Sequence, residues 1–98
     1  MSKFEKQPSE EYPISIDFSE VLDDDETIST VDVSAKYYHG GSGDATLDVI
    51  GSSSISDQTI IVNVKNGTDG CIYKITAVIE TSGNNIYEED IYMMVKDI

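Results

Sequence analysis

The segment "YKITAVIETSGNNIYEEDIYMMVKD", Tyr73 to Asp97, alternates apolar and polar residues on both sides of a turn cluster. A repeat of two is the side-chain period of a β-strand, whereas a helix repeats every 3.6 residues. Tyr73, Ile75, Ala77 and Ile79 share one face, opposite Lys74, Thr76 and Glu80. Ile91, Met93 and Val95 share another, opposite Asp90, Tyr92 and Lys96. To put both apolar sets on one side of a sheet, odd-numbered residues must pair with odd-numbered ones. The loop must then be odd in length, most simply the three residues Gly83-Asn84-Asn85, with an asparagine in the left-handed position that such loops favour. A two-residue turn would bring Asp90 opposite Ala77 and turn one strand inside out.

The same period runs through the chain upstream. Ile14, Ile16 and Phe18 alternate with Ser15 and Asp17, and Val31, Val33 and Ala35 with Asp32 and Ser34. Leu47 and Val49 flank Asp48, and Ile60, Val62 and Val64 alternate with Ile61 and Asn63. Between these runs lie the turn signals "LDDDE", "HGGSGD", "GSSSISD" and "KNGTDG". No stretch has helical periodicity and none repeats. Residues 1–11 are polar, with Pro8 and a single large apolar residue, Phe4, and read as a flexible N-terminal arm. Residues 12–98 then predict an all-β domain, an immunoglobulin-like antiparallel β-sandwich of about seven strands. The 98 residues suffice for one core.

In "DGCIY", Asp69 precedes Tyr73 by four residues, the spacing of a tyrosine corner, in which the phenol bonds backbone beside the turn. Ile75 stands where antibody domains carry a cysteine, so packing must replace the inter-sheet disulfide. Cys71 is the single cysteine, which rules out an internal disulfide. No apolar run approaches the roughly 20 residues that span a bilayer. The opening "MSKFEKQPSEE" has no signal-peptide core, so assembly in a reducing cytoplasm is expected.

Nineteen acidic against six basic residues give a formal net charge of -13. Such a chain repels phosphate backbones and anionic membranes, so neither nucleic acid nor membrane is an expected partner. Basic protein surfaces are. The lone histidine, His39, lies beside a flexible turn with no nucleophile-elbow motif near it, and Cys71 sits in an acidic setting that disfavours a thiolate. No catalytic residue is assigned. A small hydrolase would require His39 beside a buried carboxylate and a hydroxyl. "DDDE", Asp23 to Glu26, lacks the alternating ligands and the glycine of a calcium loop and reads as a solvated acidic turn. No metal or cofactor is expected.

What remains is contact chemistry. Lys3 and Lys6 flank Phe4 on the arm, an apolar anchor between two cations in an acidic chain. Tyr37, Tyr38 and His39 in "YYHGG" offer aromatics for a subunit contact, with alternation sending one tyrosine inward. Both tyrosines exposed on one surface would instead favour a module that binds a cell-surface glycan or protein.

The order of short motifs resembles that of small bacteriophage structural proteins. "FEK" at Phe4 to Lys6, "IDFSEVL" at Ile16 to Leu22 and "ETI" at Glu26 to Ile28 carry the resemblance, as does the closing segment quoted first. It covers most of the chain; residues 36–58 match in general character only, and Glu20 stands where aromatic residues are often found. The resemblance implies a non-enzymatic component of a virion, of tail, neck or fibre adaptor type, assembled in the bacterial host cytoplasm. Its partners would be other virion proteins and further copies of itself.

Overall fold

The computed structural model describes residues 2–97. The strands are β1 (Ser2–Lys6), β2 (Tyr12–Asp17), β3 (Ile28–His39), β4 (Ile50–Ser56), β5 (Thr59–Val64), β6 (Ile72–Thr81) and β7 (Ile86–Val95). One helical turn, α1 (Thr46–Val49), joins β3 to β4. Four strands form a sheet in the order β1-β7-β6-β3, and three form a second sheet in the order β2-β5-β4. Every pairing is antiparallel except β1 with β7, which is parallel. The chain is thus all-β, with seven strands in two sheets.

The core lies between the sheets, where the two central strands meet. Tyr73, Ile75, Ala77 and Ile79 of β6 and Ile60, Val62 and Val64 of β5 are buried, joined by Met93 and Val95 of β7. Burial of one aliphatic side chain contributes about 1.5–3 kcal/mol, so these two strands carry much of the fold's stability. Odd-numbered residues of β6 and β7 do pair, from Ile79 with Tyr87 to Tyr73 with Met93. The loop is three residues long but sits one residue earlier than expected, at Ser82-Gly83-Asn84. The Thr81 N–H donates to the Asn85 carbonyl at 2.9 Å, and Asn84 has the left-handed φ of 62°. The cause is Glu26. Its buried carboxylate accepts the Thr81 hydroxyl and the Asn85 side-chain amide, and so fixes both as the closing pair.

The acidic turn Asp23 to Glu26 is not wholly solvated, since Glu26 is buried, and three further expectations fail, each for a local reason. Residues 2–6 do not form a free arm: they are strand β1, in register with Ile91 to Val95. Phe4 turns inward and meets Tyr12 edge-on, with ring centroids 6.3 Å apart. Lys6 is also inward and only 1% exposed. Its Nζ donates to the carbonyls of Gln7, Pro8 and Asn66, which satisfies a cation that burial would otherwise make costly. Burial pushes that ammonium below the usual lysine value, against the opposing pull of Glu10 and Glu11.

Residues 46–49 are a helical turn rather than a strand, with Val49 buried and Leu47 91% exposed. The Asp44 carboxylate takes both the N–H and the hydroxyl of Thr46, and the Ala45 carbonyl takes the N–H groups of Asp48 and Val49. "GSSSIS" is strand, not turn: β4 pairs with β5 through a bulge between Ile50 and Ser53, and the turn shrinks to Asp57 and Gln58. As an edge strand that is exposed from Gly51 onward, β4 has no inner face to impose alternation.

Candidate functional site

The residues considered for catalysis do not converge. His39 is exposed at the end of β3 beside Ile72, whereas the buried carboxylate, Glu26, bonds Thr81 at the far end of β6. Ten residues of strand separate the two positions, about 30 Å at the usual rise. Cys71 is buried, and its thiol donates to the Gly40 carbonyl at 3.4 Å. Among the described residues, no group of three or more His, Cys, Asp or Glu is arranged to hold a metal ion.

Tyr73 lies fully inside, and its phenol oxygen accepts the Thr68 N–H at 2.9 Å. Asp69 acts on the outer side of the same turn, where its carboxylate accepts the Asp97 N–H at 2.9 Å. The turn between β5 and β6 is therefore held from within and without. Gly67 within it has a φ of +101°, and a Cβ there would lie 2.6 Å from Val95. No other residue fits that position without displacing β7.

The two adjacent tyrosines part company. Tyr37 points inward and packs on Tyr73 with ring centroids 4.9 Å apart. Tyr38 is 60% exposed on the opposite side of the sheet. The surface that would favour a glycan-binding module, with both rings exposed together, is not formed. Tyr38 is instead the extra residue of a bulge, since Tyr37 pairs with Tyr73 and His39 with the very next residue, Ile72. A bulge re-aims the side chain at the break. Here it tips Tyr38 over β6 onto Tyr92 of β7, two strands away, at a centroid distance of 4.8 Å.

The strand register places further residues around this pair. Across the outer face of the four-stranded sheet, one row reads Lys36, Lys74, Tyr92, Lys3, and the next reads Ile72, Met94, Glu5. Three of the six basic residues of the chain thus share one row, beside two tyrosines, an isoleucine and a methionine. Lys74 is tied to Asp90 at 3.6 Å, while Lys3 and Lys36 are exposed. Aromatic residues and methionine are enriched in protein interfaces, and this face combines both with positive charge.

Of the residues singled out from sequence, Lys3 and Tyr38 lie on this face, with His39 exposed at its end. Phe4, Lys6 and Tyr37 point into the domain instead. Sequence reasoning missed Lys36, Lys74, Ile72, Tyr92 and Met94 as a group. The alternation places each on an outward side, but only the pairing register brings the three strands into line.

No curated protein matches the chain. The family model described as "Podophage GP4 fiber-tail adaptor protein gp77" matches residues 6–94, from the last residue of β1 to the penultimate residue of β7. A match across both sheets and the intervening turns makes the chain a member of that family of small phage virion proteins.

Proposed function

We propose that the protein is a non-enzymatic adaptor between tail and fibre, and that it holds a neighbouring virion protein against the outer face of its four-stranded sheet. Family membership supports the setting. The observation that carries the choice of surface is the Tyr38–Tyr92 pair, which forms at the bulge opposite Ile72. Lys3 and Lys36 beside it favour a partner with acidic groups around an apolar centre. Assembly in the host cytoplasm agrees with a domain whose single cysteine is buried and unpaired.

We further read the sandwich as immunoglobulin-like. With the strands lettered A to G along the chain, B, E and D form one sheet, and C, F and G lie together in the other. That is the arrangement of immunoglobulin domains, with the first strand moved across to pair with the last. The Tyr73 contact with Thr68 supports the same reading.

The test is a phage whose copy of this gene carries Tyr38→Ala and Tyr92→Ala together. The purified variant should remain folded, because both rings lie outside the core, while its content in particles should fall at least tenfold. Normal incorporation would remove this face from the assembly. Absence of the unaltered protein from particles would remove the adaptor role itself.

A further inference from the structure

We infer that the open half of the β7 edge accepts an extended, basic segment of a neighbouring virion protein as an added strand; this rests on the adaptor reading and names the chemistry of a partner. β1 pairs only with Ile91 to Val95, and among the described residues no strand lies beside Ile86 to Asp90 on that side. The direction of the backbone groups follows from bonds nearby. The Val95 N–H donates to Cys71, toward β6, and the Lys96 N–H donates to Lys6, toward β1. Odd-numbered residues of β7 therefore face β6, and even-numbered ones face the open side. Ile86 and Glu88 present their N–H and C=O groups there with no strand to receive them.

Beside this edge the two sheets leave a groove of about 250 Å³, whose lining includes Ile16 and Asp17 of β2 and Glu89, Asp90 and Ile91 of β7. Pockets for small molecules run to roughly 300–1,000 Å³, so a space of this size suits single side chains of a passing strand. Asp90 is engaged by Thr76 and Lys74. Glu88 and Glu89 are exposed and make no side-chain hydrogen bond or ion pair among the described residues. Glu89 belongs to the inward set, opposite Ala77, yet remains in solvent because the edge beside it is open.

Charges on a sheet edge ordinarily guard it against pairing with its own kind. That bland role and the inferred one are compatible, because the same carboxylates sort the guests. A second copy of this chain, at a net charge of -13, would bring like charge to the slot. A strand with lysine or arginine at alternate positions would place cations against Glu89 inside the groove and against Asp17 at its outer rim, where the Asp17 carboxylate also holds the Ser19 N–H. Its backbone would meet the free groups of Glu88. The structure therefore assigns the slot to a heterologous basic strand.

The experiment uses a ten-residue peptide of alternating lysine and valine, with a glutamate-for-lysine version as control, added to the full-length protein. The lysine peptide should slow hydrogen exchange at the Glu88 amide at least tenfold, and the effect should weaken as salt is raised. The glutamate peptide should leave exchange unchanged. Asp17→Lys combined with Glu89→Lys should abolish the protection, whereas the Tyr38→Ala, Tyr92→Ala protein should retain it. Binding that leaves the Glu88 amide unprotected, or no binding, overturns the inference. Protection that rises with protein concentration alone would show that the occupant is a second copy, and also overturns it. In phage, normal incorporation of the Asp17→Lys, Glu89→Lys protein would defeat the slot and leave the adaptor reading standing.

Discussion

The two outer faces of the sandwich obey the same alternation and could hardly differ more in chemistry. On the three-stranded sheet the outward rows read Ser15, Ile61, Ser54 and then Asp17, Thr59, Ser56. Small hydroxyl side chains surround one isoleucine, and neither an aromatic residue nor a lysine interrupts them. On the four-stranded sheet the corresponding rows hold two tyrosines, an isoleucine, a methionine and three lysines. Burial pattern alone specifies a sandwich; it leaves the outward positions free. On the four-stranded sheet those positions carry two tyrosines and three of the six basic residues of the chain.

Substitutions at adjacent positions of β5 separate the inner and outer faces by the largest effect. Ile60 and Ile61 are neighbours on β5, but Ile60 is fully buried and Ile61 faces out, flanked by serines. Ile60→Ala should cost about 2–5 kcal/mol of stability, and Ile61→Ala less than about 1 kcal/mol, measured by urea denaturation. Equal losses would mean that the outer face of the smaller sheet is covered. A smaller effect separates the tyrosines. Tyr73→Phe should cost about 1–2 kcal/mol through the lost bond between the buried phenol and the Thr68 N–H, while Tyr92→Phe should leave the denaturation midpoint nearly unchanged. An unaltered midpoint for Tyr73→Phe would show the corner to be held by packing alone.

The smallest effect is one of pH. The Thr81 hydroxyl, then the Asn85 amide and the Asp23 N–H, hold the Glu26 carboxyl below the ordinary glutamate value. A depressed carboxyl stabilises the fold above its unfolded pKa, and that contribution is lost as pH falls through the lowered folded value. The chain's net charge of -13 acts oppositely, since acid relieves repulsion. The informative quantity is thus the difference between the parent and Glu26→Gln. The variant should be less stable at pH 7, and the gap should close below the ordinary glutamate range. A gap that does not change with pH would assign the loss to packing.

How much was legible in the sequence follows from where each residue sits. β5 and β6 are central strands, buried on one face, so Ile60 to Val64 and Tyr73 to Ile79 announce themselves by alternation. The odd parity of the hairpin follows from the same signal, but its exact loop depends on Glu26, which is fifty-five residues from Thr81 in sequence. Edge strands escape such reading. β4 is exposed along almost its whole length, so its serines look like a turn. β1 hides a lysine among its inward residues, and only the carbonyls that gather around Lys6 explain how that is tolerated. The proposed contact face was illegible for a third reason: Tyr38 lies at a residue inserted opposite Ile72, and a bulge leaves no mark in composition or period.

The parallel pairing of β1 with β7 has a mechanical meaning. Ser2 lies beside Ile91 and Lys6 beside Val95, so tension that enters at Ser2 and leaves at Val95 pulls the two strands lengthwise past each other. The rungs of that short ladder are then loaded in shear and must fail together, whereas strands peeled apart from one end release one rung at a time. The Lys6 side chain adds a clip to the turn at Asn66, off the line of pull. If the proposed adaptor carried load between these two ends, this geometry would make the strand pair a latch.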